Sequence, residues 1–164
     1  MQLDFENKIV RNPVLGATLI WRFCSEYEAA ASRKRHASLA EIVLASSLVA
    51  HSPTVARLHG LQFDTGLARA LDGYPELLID LQARLQTSTV TCLRALAVAI
   101  AAGLVARTDQ QAPGQFATRL SALPSAVASE HPSVVDMHHA MKRVAIWIAR
   151  DGLTPACLRL QVTF

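Results

Sequence analysis

The segment "NPVLGATLIWRF" constrains the fold of this chain more than any other stretch of its sequence. No charge occurs in the ten positions from Asn12 to Trp21, and Arg22 ends the run. Asn12 can accept hydrogen bonds from the N–H groups of a first helical turn, and Pro13 suits the first helical position because it has no N–H to donate. We therefore predict a helix from Pro13 to about Ala31.

This helix is predicted to be buried on most sides, in a core or against another protein. Its apolar run is shorter than the roughly 20 apolar residues of a membrane span, and charged residues follow in "RFCSEYE". A signal peptide begins with basic residues, whereas "MQLDFENKIV" carries Asp4 and Glu6. We therefore expect neither a membrane span nor secretion.

The composition favours one mainly α-helical domain. Hydrophobic residues make up 51% of the chain and aromatic residues only 5%, which favours close-packed helices over strands. A chain of 164 residues can bury one substantial core, so residues 1–164 are predicted to form a single domain. The three cysteines, Cys24, Cys92 and Cys157, lack C-x-x-C spacing, which is typical of reduced cysteines in a cytoplasmic protein.

Capping and turn residues divide the first half of the chain into helices. Ser38 is predicted to cap a second helix, and Pro53 opens a short helix that Gly60 ends. The segment "FDTGLARALDGYPELLIDLQARL" predicts a short helix, a turn and a longer helix with four leucines on one side: Leu77, Leu78, Leu81 and Leu85.

The second half of the chain predicts a central helix, a hairpin and a final helix. The central helix is expected from Ser88, as its cap, to Gly103. The segments "LVART", "DQQAPG" and "QFATRL" then predict a β-hairpin. A loop leads to the last helix, which Gly152 ends, and the apolar segment after it is expected to pack on the fold. The predicted fold is thus a compact, mainly α-helical domain with a small β-hairpin, in a winged-helix-like arrangement.

No pattern in the sequence predicts catalysis or a bound cofactor. Phosphate-binding loops, nucleophile elbows and zinc-protease motifs are absent, and Cys92 lies in the most apolar segment, where a buried thiol is inert. Asp136 and His139, three residues apart, are the best metal-ligand candidates. Two ligands do not make a metal site, and His51 and His59 are expected at helix ends. The chain is therefore predicted not to be an enzyme and to hold no metal.

Two groups of basic residues are candidates for contacts with other molecules. Arg33, Lys34 and Arg35 form a basic cluster that can contact nucleic acid, although a solvated loop explains it as well. In the last helix, the spacing of three and four residues places three side chains on one face: Arg143, Trp147 and Arg150. Tryptophan and arginine are enriched at interface hot spots, so these three are predicted to bind a partner. The alternative is that Trp147 belongs to the core.

The order of three segments resembles a known family. They are "NPVLGATLIWRF", "IVLASSLVAHSPTVARL" and "MKRVAIWIARDG", and together they are similar to the small middle component of three-component ABC systems, the accessory subunit of Lamassu-type anti-phage defence. The resemblance covers nearly the whole chain. It implies a non-catalytic subunit that bridges or restrains an effector nuclease on an SMC- or Rad50-like coiled-coil ATPase, with DNA contacted weakly or through the complex.

A homodimeric winged-helix regulator is the chief alternative, and a small enzyme is a distant third. The helix from Ser88 to Gly103 separates the first two functions. A DNA-reading helix carries polar side chains on one face, whereas this segment is nearly all Ala, Val, Leu and Ile. The sequence therefore favours the accessory subunit.

Overall fold

The computed structural model describes residues 11–110 and 112–164 of the chain. Within these residues it contains seven α-helices, one 3-10 helix and three short strands. The helices are α1 (Pro13–Ala30), α2 (Leu39–Val49), α3 (Ser52–His59), α4 (Leu67–Gly73), α5 (Leu81–Ala101), α6 (Pro132–Asp151) and α7 (Leu153–Leu160), the 3-10 helix is Pro75–Leu78, and the strands are β1 (Ala37–Ser38), β2 (Val105–Thr108) and β3 (Gln115–Thr118). The predicted mainly helical fold with a small β-hairpin is confirmed.

Helix α1 is the centre of the fold and begins where the sequence predicts. The Asn12 Oδ1 atom accepts hydrogen bonds from the N–H groups of Val14 at 2.9 Å and Leu15 at 3.3 Å. The helix packs between α5 and α6, and most of its side chains from Ala17 onward are buried. The expectation that "MQLDFENKIV" is not a signal peptide concerns residues outside the described range.

The caps of α2 and α3 also follow the sequence. Ser38 and Glu41 form a capping box, in which the Glu41 N–H donates to Ser38 Oγ and the Glu41 carboxylate accepts from the Ser38 N–H. Pro53 lies in the first turn of α3, and Gly60 follows its last residue. Capping and turn residues that can be recognised in the sequence therefore set these helix ends.

The predicted cap at Ser88 is wrong, because Ser88 lies inside α5. The leucine-rich segment divides between the 3-10 helix and the start of α5, and the helix then continues without a break to Ala101. The run of small polar residues stays helical because its hydroxyl groups bond to carbonyls of the preceding turn, as Thr89 Oγ1 does to Leu85 O at 2.7 Å. Instead, the helix begins after Asp80, which has a left-handed backbone with φ of 54°.

The predicted hairpin is present and gains a third strand. Strands β2 and β3 pair antiparallel, and β1 pairs with the other edge of β3, giving the order β1-β3-β2. Gly114, with φ of 70°, ends the connecting loop, and its N–H donates to Asp109 Oδ1 at 2.9 Å. Residue 111 of this loop lies outside the described range. Strand β1 has only two residues, too few to give a sequence pattern.

The last helix and the segment after it pack onto the fold. Gly152 ends α6 with φ of 87°, and the chain then forms α7, which buries Ala156 and Leu160. Among the described residues, no single helix has the length and hydropathy of a membrane span. Helices α2 and α3 reach that hydropathy only when taken together, and their axes bend by 89°.

Candidate partner-binding groove

A surface groove of about 330 Å³ lies between the end of α3, the loop after it and α6. All three predicted interface residues line it. We call it the Trp147 groove, and its lining consists of Leu58, His59, Phe63, Thr65, His139, Lys142, Arg143, Ile146, Trp147 and Arg150. The α6 residues among them recur at spacings of three and four, which places them on one helical face.

Trp147 forms the floor of this groove. Its side chain is buried, and its indole Nε1 donates a hydrogen bond of 2.8 Å to the carbonyl oxygen of Thr65. This position favours the core alternative that the sequence left open. Arg143 is half-buried and donates to the carbonyl oxygens of Gln62 at 2.6 Å and Leu61 at 3.0 Å. Both residues therefore hold the loop after α3 against α6, while Arg150 is exposed on the rim.

The loop that these bonds hold presents an aromatic side chain to solvent. Phe63 is 80% exposed, and Lys142 Nζ lies 5.9 Å from the centroid of its ring. Aromatic side chains, phenylalanine included, are enriched in the buried centres of protein interfaces. Phe63 could not be predicted as a surface residue from the sequence, because its exposure depends on a loop conformation that Arg143 and Trp147 impose.

Three potential metal ligands meet at one end of the Trp147 groove. His59 is the last residue of α3, and Asp136 and His139 lie on α6. The His59 Nδ1 atom is 3.2 Å from Asp136 Oδ1, and the His59 and His139 rings stack with centroids 6.5 Å apart. The sequence offered the pair on α6 as candidate ligands but predicted no metal site, because two ligands do not make one. It did not connect His59 to the pair, because that contact depends on how α3 packs against α6.

The basic cluster before α2 lies on the surface, and one of its residues also bonds to α6. Arg35 donates to the carbonyl oxygen of Ala149 and lies 5.7 Å from the ring centroid of Tyr27. Arg33, Lys34 and Arg35 itself are all exposed. All three predicted nucleic-acid contacts thus remain exposed, although Arg35 also holds the loop against the end of α6.

A second exposed surface runs along α5. Val90, Leu93 and Ile100 are 57%, 43% and 43% exposed, and Ala97 is exposed between them. We call these four residues the α5 stripe. Their spacings of three, four and three residues place them on the side of α5 opposite buried Ala95. The sequence predicted that α5 is apolar but assigned these side chains to packing.

The cysteines lie in environments that suppress thiol reactivity. Burial raises the pKa of Cys24, and the nearby carboxylates of Glu28 and Glu41 raise it further. Burial also raises the pKa of Cys92, whose thiol donates to Ser46 Oγ at 3.4 Å. A thiol with a raised pKa is a poor nucleophile at neutral pH. Cys92 lies beside a larger cleft of about 490 Å³ between α1, α2, α5 and α6.

A model of one known protein family matches the whole chain. The family model for the ABC-three component (ABC-3C) system Middle Component 3 matches residues 1–164. No curated protein and no solved structure gives a significant match. Because the family model covers the full sequence, the chain belongs to the Middle Component 3 family of ABC-three component systems.

Proposed function

We propose that this middle component is the non-catalytic accessory subunit of a cytoplasmic, Lamassu-type anti-phage defence complex. In this complex it bridges or restrains an effector nuclease on an SMC- or Rad50-like coiled-coil ATPase. Family membership supports the general part of the proposal, because a middle component acts with the other components of its system. The ATPase and the nuclease are the partners that the sequence resemblance implies.

The α5 stripe is the observation that carries the proposal. A helix that reads DNA presents polar side chains to base edges, whereas the outward face of α5 presents Val90, Leu93 and Ile100. With Ala97, which is also exposed, they are spaced by three, four and three residues, as the a and d positions of a heptad repeat are. A partner helix with apolar residues at its own a and d positions can cover such a stripe, because its side chains pack between those of the stripe. We therefore assign the stripe to the coiled coil of the ATPase.

The Trp147 groove supplies a second binding surface with a different character. Lys142, Arg143 and Arg150 give it a positive rim, and Phe63 adds an exposed aromatic ring. An acidic partner segment with an apolar anchor complements these charges. The α5 stripe and the groove lie on different helices, with α1 packed between α5 and α6. A subunit that bridges two proteins needs two such separate surfaces.

Co-purification with the ATPase encoded beside this chain tests the proposal. Leu93→Glu places a charge in the α5 stripe, so we expect it to abolish recovery of the complex. Leu158→Glu is the matched control, because Leu158 is 75% exposed on α7 and lies outside both surfaces. Equal recovery of both variants would assign the ATPase to another surface. Failure of the wild-type chain to co-purify would refute the function.

The same assay tests the Trp147 groove. Phe63→Ala and Arg150→Glu each alter an exposed groove residue, so we expect them to weaken recovery of a partner without lowering the melting temperature. Loss of a hot-spot side chain costs about 2 kcal/mol, which is roughly thirtyfold in affinity. Unchanged recovery of both the ATPase and the effector would exclude the groove as an interface.

We further propose that the chain has no nuclease, ATPase or hydrolase activity of its own. The raised pKa values of Cys24 and Cys92 support this proposal for thiol chemistry. The isolated chain is expected to leave DNA and ATP unchanged with or without divalent metal. Metal-dependent DNA cleavage that His139→Ala abolishes would refute it.

A winged-helix regulator is the second candidate, and the sheet is the observation that favours it. The hairpin follows α5 directly, and β1, between α1 and α2, completes its sheet. Binding to DNA fragments separates the two functions. For the accessory subunit we expect weak, sequence-independent binding that salt reduces, through Arg33, Lys34 and Arg35. Tight binding to one sequence at physiological salt would favour the regulator.

A further inference from the structure

We infer that His59, Asp136 and His139 form a binding site for a divalent transition metal of the zinc class. The inference rests on these side chains alone and does not depend on the proposed function. Two imidazoles and one carboxylate are a donor set that zinc accepts, and three protein ligands leave one coordination position open. The sequence supplied two of the three ligands, and the fold supplies the third.

The fold places all three donors on one small surface. Asp136 and His139 are three residues apart on α6, so their side chains share one helical face. His59 approaches this face from the end of α3. One ligand atom from each residue lies within 4.8 Å of the others.

The distances suit a tetrahedral ion with small adjustments of side-chain rotamers. Zinc bonds of about 2.0–2.2 Å to nitrogen and oxygen imply ligand atoms about 3.3–3.5 Å apart at tetrahedral angles. His59 Nδ1 and Asp136 Oδ1 are already 3.2 Å apart. The third donor, on His139, needs to move inward from at most 4.8 Å. His139 is exposed, so it can make this movement without disturbing the core.

An ion at this site would join two elements and add charge to the groove. His59 and His139 also line the Trp147 groove. Bound metal would therefore link the end of α3 to α6, fix one wall of the groove and increase its positive potential. The competing interpretation is a simple hydrogen bond or ion pair between His59 and Asp136, which needs no metal and no contribution from His139.

Titration calorimetry on the metal-stripped chain, produced without a polyhistidine tag, tests the site. With zinc chloride we expect one ion per chain, and with cobalt(II) we expect the visible absorption of a tetrahedral complex. His59→Ala, Asp136→Asn and His139→Ala should each lower zinc affinity about tenfold or more. His131→Ala is the matched control, because it removes an exposed histidine that lies outside the cluster.

Circular dichroism of each variant establishes that it is folded before titration. Wild-type affinity in the His139→Ala variant would favour the ion pair and overturn the metal site, as would absence of zinc binding to the wild-type chain. Equal losses in His131→Ala would show non-specific binding and would also overturn it. These measurements use the isolated chain, so their failure is distinct from failure of co-purification with the ATPase.

Discussion

Trp147 Nε1 on α6 donates a hydrogen bond of 2.8 Å to the carbonyl oxygen of Thr65. The side chain is only 6% exposed, so Trp147→Ala removes buried packing and leaves this carbonyl without its donor. We expect a loss of about 3–5 kcal/mol in the free energy of unfolding, measured by urea denaturation. Arg150→Ala, one turn away and exposed, is expected to change it by less than about 0.5 kcal/mol. A small loss in Trp147→Ala would instead favour a surface role for this residue.

A buried carboxylate joins α1 to the sheet. Glu28 accepts hydrogen bonds from the N–H of Thr118 at 2.9 Å and from its hydroxyl at 2.7 Å, and His36 Nδ1 lies 3.1 Å away. Glu28→Gln replaces one acceptor oxygen with a donor, so we expect a loss of about 1–3 kcal/mol. Glu130→Gln, in the exposed loop before α6, serves as the control.

A double-mutant cycle separates this contact from general destabilisation. Thr118→Val removes the hydroxyl donor and keeps the backbone N–H. If Glu28 and Thr118 interact as the structure shows, the loss in the double variant is smaller than the sum of the two single losses. Additive losses would contradict the contact.

The contact between α1 and α5 leaves no space for a side chain at Gly16. A Cβ atom added there would lie 2.6 Å from the Cβ of Ala95. We expect Gly16→Ala to push the two helices apart and cost about 1–3 kcal/mol. Adding Ala95→Gly removes the opposing Cβ, so the double variant should recover part of this loss despite the lower helix propensity of glycine. Thermal unfolding of the four proteins in the cycle measures this, and no recovery would contradict the contact.

His138 makes stability depend on pH. Burial lowers its pKa from 6.5 to about 4, and repulsion from Arg22 and His139 adds to the shift. The unfolded chain therefore takes up a proton at pH values where folded His138 stays neutral. The contribution of neutral His138 to the free energy of unfolding is fully present above pH 6.5 and is lost as the pH falls towards about 4.

Replacing the imidazole tests this dependence. His138→Gln cannot be protonated but keeps an N–H group that can reach Thr18, whose hydroxyl lies 3.3 Å from His138 Nε2. We expect the free energy of unfolding, measured with a metal chelator present, to fall less steeply in this variant than in wild type between pH 6.5 and 4. Parallel curves would show that His138 does not titrate as described.

Local signals explain which parts of the fold could be predicted from the sequence. The cap at Asn12, the capping box at Ser38 and the stop at Gly152 each depend on residues within one turn of the helix end. Ser88 was wrongly predicted to be a cap, because a hydroxyl that can cap a helix can equally bond to a carbonyl one turn back inside a helix. Local chemistry alone does not distinguish these two positions.

The candidate sites depend on packing between distant elements, so the sequence predicted them only in part. Helical spacing correctly placed Arg143, Trp147 and Arg150 on one face. It could not show that the loop after α3 covers Trp147. Nor could it connect His59 to the ligands on α6, since both results come from the packing of α3 against α6.

The position of α1 has a consequence for the stage of synthesis at which this helix can be buried. This apolar helix is synthesised before the helices that cover it: Thr18 contacts His138, 120 positions further along the chain. Glu28 likewise contacts Thr118, which is synthesised 90 positions later. Until then an apolar surface is exposed to other nascent chains and to chaperones. Synthesis must therefore continue for 120 residues beyond Thr18 before α6 can cover α1.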